Sequence, residues 1–384
     1  MSHKKQTTTI FEQMSALCRD TGAINLGQGF PDLPEPTELI RAARGALLVQ
    51  SNQYPPMRGL PELRNAVAAY YRQMQGVSIN PEEVIVTSGA TEALAASILA
   101  LVEPGDEVIC VQPLYDAYVP LIERAGGVPV FVNLKAPEWT LDVGDLAAAI
   151  TPRTRMIVLN TPNNPTGTML PRATMDAIGQ LAEAFDLIVL CDEVWEGMIF
   201  DATPHVSSLS IPALRHRSVK AGSAGKLFSL TGWKVGWAIA TPELASRIAA
   251  QHQFLTFTTP PALQWAVADG LNLGRDWFTA HSARYAEGRR LLVDGLTQAG
   301  FVVLPSSGSW FITIDLPASG FTQPDRTIAE RLVQEAGVGS IPVSAFYQTE
   351  PETRYLRLCF CKEAKTLEQA LERLVQFRSS IVEG

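Results

Sequence analysis

A chain of 384 residues exceeds one ordinary hydrophobic core and suits one large domain with a smaller companion. With 46% hydrophobic and 18% charged residues and no biased tract, it can bury a sizeable core without metals or crosslinks. The net charge of −8 opposes a nucleic-acid or anionic-membrane partner, each of which calls for clustered Lys and Arg, and points to a small-molecule substrate.

The start, Met1-Ser2-His3-Lys4-Lys5, leads into no apolar h-region, and no apolar run approaches the ~20 residues of a membrane span. A cytoplasmic protein is expected. Residues 1–39, with Pro31, Pro34 and Pro36, read as an arm. From 84 to 240 one rhythm repeats: a short apolar run, a turn, then a segment of helical period. The runs are Val84–Val86, Val108–Val111, Val128–Phe131, Met156–Leu159 and Leu187–Cys191. Apolar runs without alternation predict parallel strands covered on both faces. Helices are predicted between them, as over Ala90–Leu101, where Leu94, Ile98 and Leu101 recur at helical spacing, and over Pro171–Phe185. The fold class is α/β, a mostly parallel doubly wound sheet in a large domain over 40–275.

After about residue 275 a long helix (Trp277–Ala299) precedes strands at Phe301–Leu304 and Trp310–Ile314. A helix (Asp325–Ala336), a strand (Tyr355–Cys361) and a terminal helix from Thr366 follow. Residues 276–384 together with 1–39 make a smaller α+β domain. Cysteines 18, 110, 191, 359 and 361 are odd in number, and Cys359-Phe360-Cys361 lacks the two-residue gap of zinc ligands. They read as core or strand thiols, with no metal site.

In doubly wound sheets ligands bind beyond the carboxyl ends of the strands, so polar residues there are the candidates. Ser88-Gly89-Ala90-Thr91-Glu92 follows a strand and opens a helix, which makes an ordinary tight turn or an anion cradle. Asn160 to Gly167 has the composition of a turn, yet two prolines around Asn163-Asn164 stiffen it enough to aim a side chain. Asp192 ends the most apolar strand, either as a cap or structural ion pair, or as the partner of a protonated ring nitrogen. Lys226 lies among small and apolar neighbours that favour a neutral, nucleophilic amine, and Lys234 follows eight residues later. Arg357 is a solvent-facing strand residue or a bidentate carboxylate clamp.

Together these segments resemble fold type I, class I/II aminotransferases dependent on pyridoxal phosphate (PLP). The resemblance runs from about Ile24 to Lys362. It is carried by Asn25–Asp32, Asn52–Gly59, the Asn-Pro-Thr-Gly loop, Asp192-Glu193-Val194 and Ser223–Trp237, and it is nearest to kynurenine, glutamine and bacterial methionine aminotransferases. The resemblance implies that Lys226 carries the cofactor as a Schiff base and shuttles the substrate proton, while Asp192 holds the pyridine nitrogen protonated. It implies that Asn164 bonds the ring O3′ and that Tyr115 stacks on the ring. The phosphate falls to Gly89, Ala90, Thr91, Ser223 and Lys234, with Tyr54 reaching in from the other subunit of a homodimer. Arg357 takes the substrate α-carboxylate, helped by Asn164 and the backbone near Gly29.

One position departs from the family, where Asp-Glu-Val is followed by tyrosine. Trp195 stands there, and an indole N–H donates but cannot ionise. Either it donates to O3′, leaves that bond to Asn164, or simply fills space. Residues 253–261 contain no basic residue for a side-chain carboxylate, and Phe30, Phe254 and Phe257 suggest an apolar lining. Methionine, glutamine, aromatic amino acids or kynurenine are expected donors, with a 2-oxo acid as acceptor. A carbon–sulfur β-lyase on the same cofactor is the alternative. A DNA-binding regulator with an aminotransferase-like domain is disfavoured, because only some twenty residues precede the match and the chain is acidic.

Overall fold

The computed structural model describes residues 9–201 and 204–382. Met1 to Lys5, where a leader was sought, lie outside the described residues. None of the described helices is long and apolar enough to cross a membrane.

The first strand, β1 (Ile24–Asn25), belongs to the N-terminal arm. Seven strands then form the central sheet: β2 (Val84–Thr87), β3 (Glu107–Gln112), β4 (Val128–Asn133), β5 (Thr154–Asn160), β6 (Ile188–Asp192), β7 (Ser218–Ser223) and β8 (Gly236–Ile239). Their spatial order is β2-β8-β7-β6-β5-β3-β4. The pairs β3–β4, β3–β5, β5–β6 and β6–β7 are parallel, and β8 runs antiparallel to both its neighbours. Successive residues of the inner strands enter different cores. Val158 and Leu190 pack on one face, Ile157, Leu159, Val189 and Cys191 on the other. Both faces are apolar, which is why the sequence shows runs instead of alternation. The edge strand β4 departs from this, and Val128 is half exposed there.

Two central strands, β7 and β8, went unpredicted, β7 because Ser, Lys and Gly interrupt its apolar residues and β8 because it is only four residues long within a glycine-rich segment. Ser218-Val219-Lys220-Ala221-Gly222-Ser223 even places a lysine at 0% exposure in the sheet. Lys220 Nζ is satisfied by Glu193 and Glu196 at 2.6 Å each and lies over the Tyr71 ring. A buried cation persists only with such partners.

The helix Ala90–Leu101 forms as predicted, favoured by its Ala and Leu content. The other predicted helices form with ends shifted by a residue or two, as at Arg172–Ala184 and Arg275–Gln298, or split, Asp325–Arg331 continuing as a π-turn over Leu332–Ala336. Beyond the central sheet lie β9 (Val302–Val303), β10 (Phe311–Asp315), β11 (Val338–Gly339), β12 (Ile341–Pro342) and β13 (Tyr355–Cys359). They make a four-stranded sheet ordered β12-β13-β10-β9 and a parallel β1–β11 pair. Met14, Cys18 and Leu26 of the N-terminal arm share one core with Leu292, Leu356 and Phe377. All five cysteines are buried and free.

Candidate active site

The parallel strands deliver the polar candidates to one edge. Asn160, Asp192 and Ala221 are direct partners across β5, β6 and β7, so the carboxyl ends of three strands finish level. Because β8 returns antiparallel, Ser223 pairs with Gly236, and the connection between them carries both Lys226 and Lys234 back to that edge. A single cavity of about 270 Å³ opens there. It is lined by every predicted cofactor residue except Tyr54: Gly89, Ala90, Thr91, Tyr115, Asn164, Asp192, Trp195, Ser223, Lys226 and Lys234.

At one end of the cavity the helix Ala90–Leu101 begins. Gly89 has φ +78°, a conformation that favours glycine, and a Cβ there would stand 3.1 Å from Lys234 Nζ. Gly236 is equally constrained, since its Cβ would meet the Ala90 nitrogen at 2.7 Å. Two bare backbones thus pack at a helix start whose first-turn N–H groups have no partner inside the helix. Together with Lys234 and Ser223 they make an anion site.

At the other end Asp192 is 4% exposed. Tyr118 donates to its Oδ2 at 2.7 Å and the Val194 N–H to its Oδ1 at 3.3 Å. Burial raises its pKa to about 6, against the pull of these two bonds and of Lys226. Tyr118 is the participant that sequence reasoning missed. It lies three residues beyond Tyr115, and only the fold shows it turned to Asp192. Tyr118→Phe should drive the Asp192 pKa further up, since the lost bond favours the charged carboxylate by about 1–3 kcal/mol. Carbon-13 NMR titration of aspartate-labelled protein checks this, and an unmoved Asp192 resonance would refute it.

Between the two ends stands Lys226, on the turn Ala224–Leu227, whose N–H donates to Ser223 Oγ at 3.3 Å. Its ammonium lies over the Trp195 ring at 4.5 Å and the Trp310 ring at 5.1 Å. Burial lowers its pKa to about 8. Roughly one amine in ten is then neutral at pH 7, against fewer than about one in a thousand for an ordinary lysine. Trp195 is buried edge-to-face on Trp310 and Phe311, at centroid distances of 4.9 and 5.4 Å.

Above the cavity, Asn160 Oδ1 accepts from the Asn164 N–H at 2.7 Å and so seats the Asn-Pro-Thr-Gly loop. Asn164 Oδ1 in turn accepts from Arg357 Nη1 at 2.6 Å. Arg357 is 2% exposed on the central strand β13, so it does not face solvent. Its Nη2 donates to the Gly27 carbonyl, its guanidinium lies 4.0 Å over the Phe311 ring, and its Nε has no partner. Among the described residues no carboxylate pairs with it. Gly29 packs on the same Phe311, where a Cβ would fall 2.6 Å from the ring.

One sequence expectation, the lining by three phenylalanines, is corrected. Phe30, Phe254 and Phe257 do not line the cavity within one chain. Phe254 is 85% exposed, Phe30 packs on Lys362, and Phe257 meets Tyr54 edge-to-face at 5.6 Å on the surface. The apolar lining comes instead from Leu94, Val194 and Val235 with the rings of Tyr115 and Trp195. Tyr54, 84% exposed, also stands outside its own chain's cavity.

This geometry coincides with a family pattern. The model of class I and II aminotransferases matches residues 21–374. The chain belongs to that family. It is 40% identical to the probable N-succinyldiaminopimelate aminotransferase of Mycobacterium tuberculosis, covering 96% of this chain and 95% of the relative. It is also 40% identical to the methionine aminotransferase of Escherichia coli, covering 96% of each, and 34% identical to kynurenine–oxoglutarate transaminase 1 of Rattus norvegicus, covering 96% and 95%. The solved structure of the Escherichia coli enzyme superposes with a TM-score of 0.94 over 97% of this chain and 98% of that one. The protein is therefore an aminotransferase, and its cofactor is pyridoxal 5′-phosphate. The cavity fits that group end for end. It offers an anion cradle for the phosphate, a buried carboxylate for the ring nitrogen, and a desolvated lysine for the aldehyde.

Proposed function

We propose that this aminotransferase moves an amino group from a neutral or aromatic amino acid, of the methionine, glutamine, phenylalanine/tyrosine or kynurenine type, to a 2-oxo acid. The observation that carries the reading is Arg357, a buried guanidinium with an orphan Nε and no carboxylate partner among the described residues. Such a cation is costly unless a ligand completes it, and a substrate α-carboxylate matches its planar fork. Residues 253–261, where a second clamp for a charged donor side chain is expected, hold no basic residue.

When bound, PLP supplies an electron sink for the substrate's Cα. The chain's own groups do the rest. Lys226 takes the proton from Cα and returns it, a task for an amine whose pKa burial has brought near neutrality. Asp192 keeps a proton on the ring nitrogen by facing it as a carboxylate, steadied by Tyr118. Gly89, Ala90, Thr91, Ser223 and Lys234 would hold the phosphate, Tyr115 would cover the ring, and Asn164, which accepts from Arg357, would orient O3′. Trp195 lines the cavity beneath the Lys226 ammonium.

The active unit is a homodimer in this reading. Tyr54 and Phe257 form an exposed aromatic pair, and Phe254, Leu47, Leu48 and Val49 are exposed as well. Such exposure suits burial against a second copy, with Tyr54 reaching the partner's phosphate. The acidic chain with buried free thiols suits the cytoplasm.

The test mixes the PLP-loaded enzyme with single amino acids and follows conversion of the cofactor to its amine form by absorbance. Methionine, glutamine and aromatic donors should react at least about tenfold faster than aspartate. A preference for aspartate would overturn the substrate reading, and no reaction with any donor would overturn the function. N-succinyldiaminopimelate belongs in the same screen, since one relative at 40% identity carries that name. The relatives compared are aminotransferases, which disfavours the carbon–sulfur lyase.

A further inference from the structure

Behind the phosphate turn lies a buried pair that the reaction does not use. Glu92, in the first turn of the helix Ala90–Leu101, accepts from the Ser88 N–H through Oε2 at 2.5 Å. Its Oε1 accepts from Thr256 Oγ1 and from His252 Nδ1, both at 2.6 Å. His252 is wholly buried, and its Nε2 lies 2.9 Å from the Met57 carbonyl. Nε2 faces a carbonyl oxygen, which can only accept, and Nδ1 faces the Glu92 carboxyl. A carboxylate beside a phosphate cradle would oppose the phosphate's charge, and an imidazole donating into that carboxylate offsets it.

The ring thereby ties two functional segments together. On one side is the turn Ser88–Thr91. On the other is the loop that carries Tyr54, joined to Met57 through Pro55 and Pro56, whose fixed φ makes a stiff link. Arg58 is held in turn, its carbonyl accepting from the Val86 N–H at 3.0 Å on β2. A second route runs through the backbone. The His252 carbonyl accepts from the Phe257 N–H at 3.2 Å, and Phe257 is the ring that packs on Tyr54.

We propose that Glu92 and His252 are positioning residues that couple each subunit's own phosphate turn to the Tyr54 it presents to its partner, so that one pair serves two cofactors. This rests on the reading above that Tyr54 crosses the interface.

Hybrid dimers separate the two effects. One subunit carries Lys226→Ala, so only the other can form a borohydride-trappable bond with PLP, and the trapped label reports affinity at that live site. His252→Asn keeps a donor toward Glu92 and loses the one toward Met57. Placed on the Lys226→Ala subunit, it alters only the Tyr54 segment lent to the live site. PLP affinity there should fall at least about fivefold, the effect of one lost hydrogen bond. Tyr54→Phe in the same place should do likewise.

If Tyr54→Phe weakens binding while His252→Asn leaves it at the parent hybrid's value, the coupling is wrong and the interface reading survives. If Tyr54→Phe has no effect, that reading fails and takes the proposal with it. His252→Gln, which keeps the donor toward Met57 and loses that toward Glu92, guards against a variant that does not assemble. It should weaken binding when placed on the live subunit and have little effect on the lending one. Equal effects in both positions would mark a general structural role and overturn the coupling.

Discussion

Alanine in place of Lys226 should reduce transamination by about 10²- to 10⁴-fold from the lost proton transfer alone, with the covalent attachment point lost as well. The fold should survive, because the side chain sits at the cavity wall and its backbone N–H still donates to Ser223. PLP should still bind through the cradle and Asp192, yet borohydride should fix none of it. The same amine predicts a pH dependence. Only its neutral form attacks the aldehyde, and burial sets its pKa at about 8. The rate of borohydride-trappable PLP capture by the apoprotein should therefore rise about tenfold per unit below pH 8 and level off above it. A profile still climbing steadily toward pH 10 would show that Lys226 is solvated and that the desolvation argument is mistaken.

Arg357→Met should cost the enzyme about 10²- to 10³-fold in kcat/KM, or about 3–4 kcal/mol, the loss of a desolvated bidentate clamp. Most of the loss should appear in KM, because the carboxylate is held alike before and during proton transfer. Arg357→Lys should recover little of it, since an ammonium cannot fork. Stability should move the other way. The guanidinium is buried over Phe311 with two of its N–H groups engaged, by Asn164 and Gly27, and among the described residues it makes no salt bridge, the charge of Asp116 acting on it only from beyond contact. Removing a buried cation that waits for its ligand relieves a desolvation cost. The melting temperature of the substrate-free methionine variant should equal or exceed that of the parent. A fall of several degrees with an unchanged KM would mean that Arg357 is a structural residue and that the carboxylate binds elsewhere.

The two experiments probe residues whose visibility in the sequence differed. Lys226 and Asp192 were legible because each breaks a local rule: a lysine among small apolar neighbours, and an acid at the end of an apolar strand. Apolar runs likewise announced β3, β5 and β6, and the helix Ala90–Leu101 showed its period. These signals are local, arising from a few neighbouring residues. β7 gives no such signal, since Ser, Gly and a lysine fill it and the partners that make Lys220 tolerable come from the turn after β6, while β8 is a four-residue Gly-Trp-Ala-Ile strand within a glycine-rich segment. Arg357 had two open readings because alternation separates faces without saying what covers each. The sheet neighbours β10 and β12 decided it.

Short-range pattern was enough to specify the sheet class and to mark polar groups at strand ends, and the family resemblance carried by several motifs in order supplied the cofactor and the identity of most cavity groups. Tyr118 on Asp192, the outward turn of Phe254 and Phe257, and the Glu92–His252 bridge emerged only on folding. Each is a meeting of residues 74 or more positions apart, or a matter of which way a side chain faces, and the packing of distant segments sets both.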